Sequence, residues 1–208
     1  MAAQAIIYGT LGFRASLEVT EHPRTKTLCT QLLPWLEELG LGARIEEFHR
    51  EILASPHGGL PRESQTEAYW RGEGASFLGW AIQLFDKPDP TVSIDPKLLL
   101  SNLRILLPTA KEILSNARLR PQDEIDDYCA YCLTVRHQFQ LLALRVDAQT
   151  SLHTLHQTRL AELGLSEAYS RLTGVEVEAS TLFSTVPSVK GLYVVRAMTA
   201  EWLLGQDE

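Results

Sequence analysis

Cysteine and long apolar runs are scarce in this chain, and each scarcity narrows what the protein can be. The 208 residues include three cysteines, Cys29, Cys129 and Cys132. A small and odd number of cysteines does not suit a disulfide framework. No stretch approaches the ~20 apolar residues that span a bilayer. The N-terminal segment, MAAQAIIYGTLGFRAS, lacks the basic start and apolar run of a secretory signal. We therefore expect a protein of the reducing cytoplasm, with no membrane as partner.

Basic residues are also in deficit. The chain has 19 Lys and Arg against 26 Asp and Glu, a net charge of −7. This balance disfavours nucleic acid as a partner, because neutralising phosphates requires a basic surface. An acidic chain can instead bind a basic protein, or the charge can serve solubility alone.

The common motifs of catalysis and metal binding are missing as well. The chain contains no GxxxxGK[ST], GxSxG or HExxH sequence. Cys129 and Cys132 form a CxxC, but they fall inside a predicted helix without a second pair, which favours buried thiols over a redox or zinc site. His153 and His156 could share a metal, but no third ligand is apparent. We expect no cofactor and no metal, and an enzyme is the less favoured interpretation.

What the sequence does have is helical periodicity, with apolar residues three and four apart along most of its length. This pattern predicts an all-α fold: a single domain over 1–208, built as a bundle or array of about seven to nine helices around a buried central helix, 62–86. The segment 174–186 is the exception, because it favours extended structure and its residues 175–178, Val-Glu-Val-Glu, alternate with period two. We predict a small extended stretch there, within an irregular insertion, 173–188, before a C-terminal helix.

Local sequence signals predict four further helices. Pro34 predicts a break before Trp35 in a helix over 25–39, which should close at Gly40. The segment 43–54 should bury Ile45, Phe48, Ile52 and Leu53. Asp95 and the proline after it should cap and open a helix over 95–107. Pro121 should open the longest helix, 121–146.

The central helix carries one unusual residue. Trp70, Phe77 and Trp80 form an apolar stripe, and Glu73 lies on it. A carboxylate on such a face is costly unless a cation or hydrogen-bond donors meet it. Residues two apart do not face each other on a helix, so Arg71 cannot reach Glu73 and the partner should come from another helix.

We predict a buried polar network of Arg71, Glu73, Arg118, Arg136 and Arg196. Arg14 is a further candidate partner for Glu73. A buried Arg–carboxylate pair would set how the helices register. Alternatively, Glu73 is a general base or a ligand-binding carboxylate.

Two stretches are candidates for binding a partner. The first is the extended segment, with Val175, Glu176, Val177, Glu178 and Phe183, because loops on rigid scaffolds commonly carry recognition. The second is the acidic start of the longest helix, with Asp123, Asp126 and Asp127. The simpler interpretations are a loop packed on its own domain and carboxylates that complement the helix dipole.

Three blocks in order resemble the bacterial domain-of-unknown-function family 4272. Its members carry Trp-Arg-x-Glu-Ala leading into Leu-x-Trp-Ala, then Arg-x-Arg-Pro-x-x-Glu-Ile, then Arg-x-x-Ala-x-x-Trp-Leu. The matching residues are Trp70, Arg71, Glu73, Trp80 and Ala81; Arg118, Arg120, Pro121, Glu124 and Ile125; and Arg196, Trp202 and Leu203. The resemblance covers about residues 14–204, with Gly74 replacing the usual Ala and an apparent insertion around 150–188. It implies an all-α fold and genes near toxin and secretion loci, and the family has no established activity.

These observations favour a non-catalytic cytoplasmic bacterial protein that binds another protein, one of basic character. The sharpest form of this hypothesis is an immunity protein that neutralises a bacterial toxin. The alternative is a small enzyme or ligand-binding helical domain that uses Glu73 with arginines in a pocket.

Overall fold

The computed structural model describes residues 1–88, 93–143 and 198–199, and the side chains of the longest helix as far as Cys132. Within these residues the fold consists of seven α-helices, with a short 3₁₀ helix at Gly42–Arg44 and no strand. The helices are α1 (Ala2–Glu18), α2 (Thr25–Glu38), α3 (Glu47–Ala54), α4 (Arg62–Ala81), α5 (Pro96–Asn102), α6 (Ala110–Asn116) and α7 (Gln122–Ala143). The all-α prediction is confirmed.

The chain divides into two compact units, Met1–Gln122 and Asp123–Glu208. The first unit holds α1 to α6, and α7 leads into the second. That 1–208 forms a single domain stays a prediction. The predicted extended stretch at 174–186 and the predicted C-terminal helix lie outside the described residues, apart from Met198 and Thr199.

The core of the first unit is the packing of α1 against α4. Every residue from Gly72 to Ala81 is buried, so the second half of α4 is the predicted buried spine, while Arg62 and Glu63 in its first turn are exposed. The two helices come closest where Gly12 faces Gly72. A Cβ added to Gly72 would lie 2.9 Å from the Gly12 Cα, so the absence of side chains at these positions allows the close approach.

The central helix ends at Ala81, and the prediction that it extends to Asp86 is wrong. Gln83 adopts a left-handed φ of 65°, and the Leu84 amide donates to the Gly79 carbonyl at 2.8 Å, as in a Schellman closure. The Arg120 amide donates to the Ala81 carbonyl at 2.9 Å. The last carbonyls of the helix are therefore satisfied partly by the amides of the turn that follows it and partly by Arg120, far along the sequence.

The predicted break at Pro34 is also wrong, because α2 runs through it. Pro34 cannot donate to the carbonyl of Thr30, but both residues are exposed, so that carbonyl can be solvated. The predicted end at Gly40 is confirmed, since Gly40 has a φ of 77° and the Leu41 amide closes the turn on the Leu36 carbonyl at 3.0 Å.

The inward face of α3 differs by one residue from the predicted face. Phe48 is 47% exposed, whereas His49 is 1% exposed beside the buried Ile52 and Leu53. Residues 49, 52 and 53 also have helical spacing, and α3 begins only at Glu47. The packing of α3 therefore selects the phase that buries a histidine instead of a phenylalanine.

The N-terminal cap of α5 is confirmed, since the Asp95 carboxylate accepts the Lys97 amide at 2.8 Å. The helix ends at Asn102, five residues before the predicted end. The reason is local backbone geometry, because Arg104 and Leu106 adopt left-handed φ values of 54° and 64°, which a helix cannot accommodate.

Candidate functional site

Glu73 is fully buried, at 0% exposure. Its Oε1 accepts the backbone amide of Ile94 at 2.8 Å, and the Ser76 hydroxyl donates to its backbone carbonyl at 2.7 Å. The carboxylate thus ties α4 to the segment that precedes α5. An arginine partner from another helix stays a prediction.

Arg71 belongs to a half-exposed cluster and not to a buried network, so its predicted placement is wrong. Its Nε lies 2.7 Å from Glu67 Oε1, and its Nη1 donates to the Tyr8 hydroxyl at 2.8 Å. Its Cζ is 4.8 Å from the centroid of the Tyr8 ring. The ordinary i, i+4 spacing to Glu67 on the same helix accounts for the difference. The cluster of Tyr8, Glu67 and Arg71 joins α1 to α4.

The other arginines of the predicted network fall in different places. Arg118 is exposed, so its predicted burial is wrong, and its backbone carbonyl accepts the Gln83 side chain at 3.4 Å. The physical reason is its position in the connection after α6, at the surface. The Arg136 side chain and Arg196 lie outside the described residues.

His49 packs beside this cluster. Its ring meets that of Tyr8 edge-on, with centroids 6.0 Å apart and planes at 78°, and its Nδ1 is 3.4 Å from Glu46 Oε2. Its Nε2 is buried and has no hydrogen-bond partner among the described residues. Burial has the largest effect on the pKa of His49 and lowers it. Glu46 raises this pKa, Arg71 lowers it, and Glu67 raises it more weakly. The imidazole is therefore held in its neutral form.

The buried arginine of the first unit is Arg14, at 0% exposure. It pairs with Glu18 one turn later, Nη1 to Oε2 at 3.0 Å, and its Nη2 donates to the carbonyls of Ser55 and Pro56 at 3.0 and 3.2 Å. Its Nε has no hydrogen-bond partner among the described residues. Sequence reasoning considered Arg14 for Glu73, but the structure pairs it with Glu18 and a distant turn.

Glu18 holds the same turn from the other side. Its carboxylate accepts the amides of Gly58 and Leu60, each at 2.9 Å. Burial raises the pKa of Glu18, but these two amides and Arg14 outweigh it, so the pKa lies below its ordinary value. Together Arg14 and Glu18 fasten the 55–60 turn, which follows α3, onto α1.

Arg120 closes the C-terminal end of α4. Its Nε donates to the Trp80 carbonyl at 2.8 Å, its Nη2 lies 3.5 Å from the Phe85 carbonyl, and its Cζ is 5.2 Å from the centroid of the Trp80 ring. A cation at a helix C-terminus complements the dipole. Trp80 and Arg120 come from the first and second blocks of the family resemblance, which the structure brings into contact.

Two open depressions lie along the C-terminal half of α1, and we call them together the α1 groove. Their volumes are about 370 and 330 Å³, and Ser16 and Pro96 line both. The first is also lined by Ala15, Val19, Gln65, Thr66, Tyr69 and Trp70. The second is also lined by Phe13, Leu17, Thr20, His22, Thr25, Leu28, Asp95 and Lys97. Val19 is 73% and Tyr69 38% exposed, so the first depression presents apolar and aromatic surface.

The acidic start of α7 is on the surface, since Asp123, Asp126 and Asp127 are exposed. The opposite face buries residues at helical spacing, namely Ile125, Tyr128, Cys129 and Cys132. The other predicted binding segment, with Val175, Glu176, Val177, Glu178 and Phe183, lies outside the described residues. A binding role for either stretch stays a prediction.

The cysteines are buried free thiols. Burial, with the nearby Asp126, raises the pKa of Cys129 to about 11, and burial raises the pKa of Cys29 as well. Neither thiol has the thiolate character that reactive cysteines require. Among the described residues no group of three or more His, Cys, Asp or Glu could hold a metal ion. His153 and His156 lie outside them.

None of the helices in the described part of the chain combines the length and apolarity needed to cross a bilayer.

Comparison with known proteins gives no match for this chain, whether to protein-family models, to curated proteins or to solved structures. The resemblance to family 4272 therefore stays a prediction that depends on its three blocks. The sequence-based search missed the α1 groove and the cluster around His49. A signal for His49 existed in its spacing to Ile52 and Leu53, whereas the groove joins residues from four helices and has no local signature.

Proposed function

We propose that this protein is a non-catalytic bacterial cytoplasmic protein that binds a basic protein partner, and in the sharpest form that it neutralises a bacterial toxin. The observation that carries the proposal is the α1 groove. The partner would insert an apolar segment there.

The composition of the groove suits a protein partner. Tyrosine and tryptophan dominate the energetics of protein interfaces, and Tyr69 and Trp70 stand side by side with ring centroids 5.2 Å apart. Val19 adds the most exposed large apolar side chain among the described residues. These residues sit on two long helices that pack on each other, so ordering the site on binding costs little.

The charge of the chain defines the chemistry of the partner. Residues 123–208 contain 12 of the 26 acidic residues but only 6 of the 19 basic ones. Asp123, Asp126 and Asp127 expose carboxylates at the start of that region. A negative field of this kind accelerates encounter with a positive surface and discriminates against acidic proteins.

The arginines of the first unit support a structural rather than a catalytic role. Four of them make ion pairs with carboxylates at 3.0 Å or less: Arg14 with Glu18, Arg50 with Glu37, Arg71 with Glu67, and Arg104 with Glu112. The alternative function, a ligand-binding domain or enzyme that uses Glu73 with arginines, has less support. Arg71 is engaged by Glu67 and Tyr8, and Glu73 accepts the Ile94 amide.

A pair of aspartate substitutions tests the groove. Val19→Asp places a charge in it, whereas Leu119→Asp changes an apolar residue that is 52% exposed and does not line it. Both variants and the wild type serve as affinity baits in the bacterial host. The captured protein is then purified and its direct binding measured by calorimetry at about 50 and 300 mM salt. We expect Val19→Asp to weaken binding at least tenfold, Leu119→Asp to change it less than twofold, and affinity to fall with salt.

Equal binding by Val19→Asp and the wild type would refute the groove as the interface. A captured partner that is acidic, or whose affinity does not fall with salt, would refute the charge argument. Replacing 175–183 with a Gly/Ser linker tests the other predicted surface. If the linker variant loses partner binding while Val19→Asp binds as tightly as the wild type, the interface lies in that segment.

A further inference from the structure

The surroundings of His49 offer little compensation for a positive charge. From α1 it faces the Tyr8 phenol, and from α4 it faces Glu67 and Arg71, which already pair with each other at 2.7 Å. At the start of its own helix Glu46 is 3.4 Å from Nδ1, but that carboxylate is 64% exposed, so solvent screens its attraction. On its own helix, Arg50 pairs with Glu37 of α2 at 2.7 Å. A protonated imidazole here would therefore be a poorly compensated buried charge.

The position of His49 in α3 gives this cost a structural consequence. The helix has only eight residues, too few to be stable without tertiary contacts. Its inward face is His49 with Ile52 and Leu53, and its C-terminal end leads into the 55–60 turn that Arg14 holds. Protonation thus acts on one of three inward residues, at the end of the helix away from the Arg14 anchor.

We propose that α3 is an acid-released element, in which uptake of one proton by His49 undocks Glu47–Ala54 from α1, α2 and α4 and exposes Ile52 and Leu53. At neutral pH the imidazole is neutral and α3 is docked. Once undocked, His49 reaches water, where its charged form is stabilised. The release therefore couples acidification to exposure of apolar surface, separately from any partner in the α1 groove.

The sign of the effect follows from the depressed pKa of His49. Because the docked state disfavours the proton, docking is fully stabilised above the ordinary histidine pKa of 6.5. That stabilisation is lost as the pH falls from there through the lower pKa of the docked state. With a single proton involved, the opening constant rises by at most about tenfold per pH unit in that window.

Hydrogen–deuterium exchange of the full chain tests the proposal. The protection of the 47–54 peptide is measured at pH 7.5 and 5.5, corrected for intrinsic exchange, with the α6 peptide as internal reference. We expect the opening constant of 47–54 to rise by up to about tenfold on acidification, and that of α6 to change less than twofold. His49→Phe, which keeps the ring but cannot titrate, should abolish the rise, whereas the exposed His22→Asn should retain it.

Three results would overturn the proposal. The first is unchanged protection of 47–54 between the two pH values, and the second is an equal loss of protection in α6, since release must be local. The third is an undiminished rise in His49→Phe. If His49→Phe does not fold, the imidazole of the wild type is titrated by NMR. A pKa below 6.5, together with the local rise, supports release by His49, and a value at or above 6.5 overturns it.

Discussion

Gly12→Ala probes the contact that sets the spacing of α1 and α4. A Cβ on Gly12 would lie 3.1 Å from the Gly72 backbone nitrogen and closer still to the Gly72 Cα. It would also approach the Leu99 side chain at 3.0 Å. Backbone cannot rotate away as a side chain can, so the two helices must separate.

The expected destabilisation is the difference of two effects. Overpacking a well-packed core typically costs 1–3 kcal/mol, and we take about 3 kcal/mol because backbone lies on both sides of the contact. Replacing glycine by alanine inside a helix returns about 1 kcal/mol. The free energy of unfolding should therefore fall by about 2 kcal/mol, which lowers the Tm by about 4–8 °C for a chain of this size.

Thermal melting followed by circular dichroism measures this change, and Gly9→Ala is the matched control. Gly9 is buried in the same helix, but its added Cβ would meet the Cδ1 tip of Leu103, which can move. We expect Gly9→Ala to alter the free energy of unfolding by less than about 1 kcal/mol. If Gly12→Ala melts at or above the wild-type temperature, the close approach at Gly72 does not limit the packing.

Other perturbations test the remaining contacts. Arg120→Lys should lower the free energy of unfolding by about 1–2 kcal/mol in urea titration, because a lysine cannot reproduce the hydrogen bonds of the guanidinium at the end of α4. The exposed Arg118→Lys should change the free energy of unfolding by less than about 0.5 kcal/mol. Equal effects of the two substitutions would contradict the role of Arg120 at the end of α4. Arg14→Met should cost about 3 kcal/mol, since it leaves Glu18 buried without its cation, and a loss below about 1 kcal/mol would contradict this. The stabilisation from Glu18 is present above its ordinary pKa of 4.5 and is lost as the pH falls through the depressed value, so Glu18→Gln should flatten the acid limb of a Tm-against-pH profile; an unchanged limb would refute its role. Cys129 should resist iodoacetamide at pH 7.5 by mass spectrometry until urea unfolds the chain, because its pKa is about 11; rapid labelling of the native protein would contradict its burial.

The sequence predicts features whose causes are local. The spacing of Trp70, Phe77 and Trp80 places Glu73 on an inward face, and Glu73 is buried. Asp95 precedes a proline at a helix start, and it caps α5. In both cases the physical cause acts within about one helical turn, so neighbouring residues suffice to predict the outcome.

Two of the errors come from interactions between distant residues. The end of α4 depends on Arg120, some 40 positions after Trp80. The partner of Arg14 includes the Ser55 carbonyl, 41 positions away. No periodicity encodes such pairings, because side-chain spacing reports which face is apolar and not which residue of another element meets it.

Sequence alone therefore determined the all-α class, the buried half of α4 and the surplus of acidic residues, since each follows from composition or from a repeat of three to four residues. Tertiary structure alone decided that His49 and not Phe48 faces inward, that Arg14 holds the 55–60 turn, and that Val19, Tyr69 and Trp70 line one groove. The reason is that α3 has two possible inward faces in its sequence, and only docking on α1, α2 and α4 selects between them. The groove likewise exists only where α1, α2, α4 and the start of α5 come together.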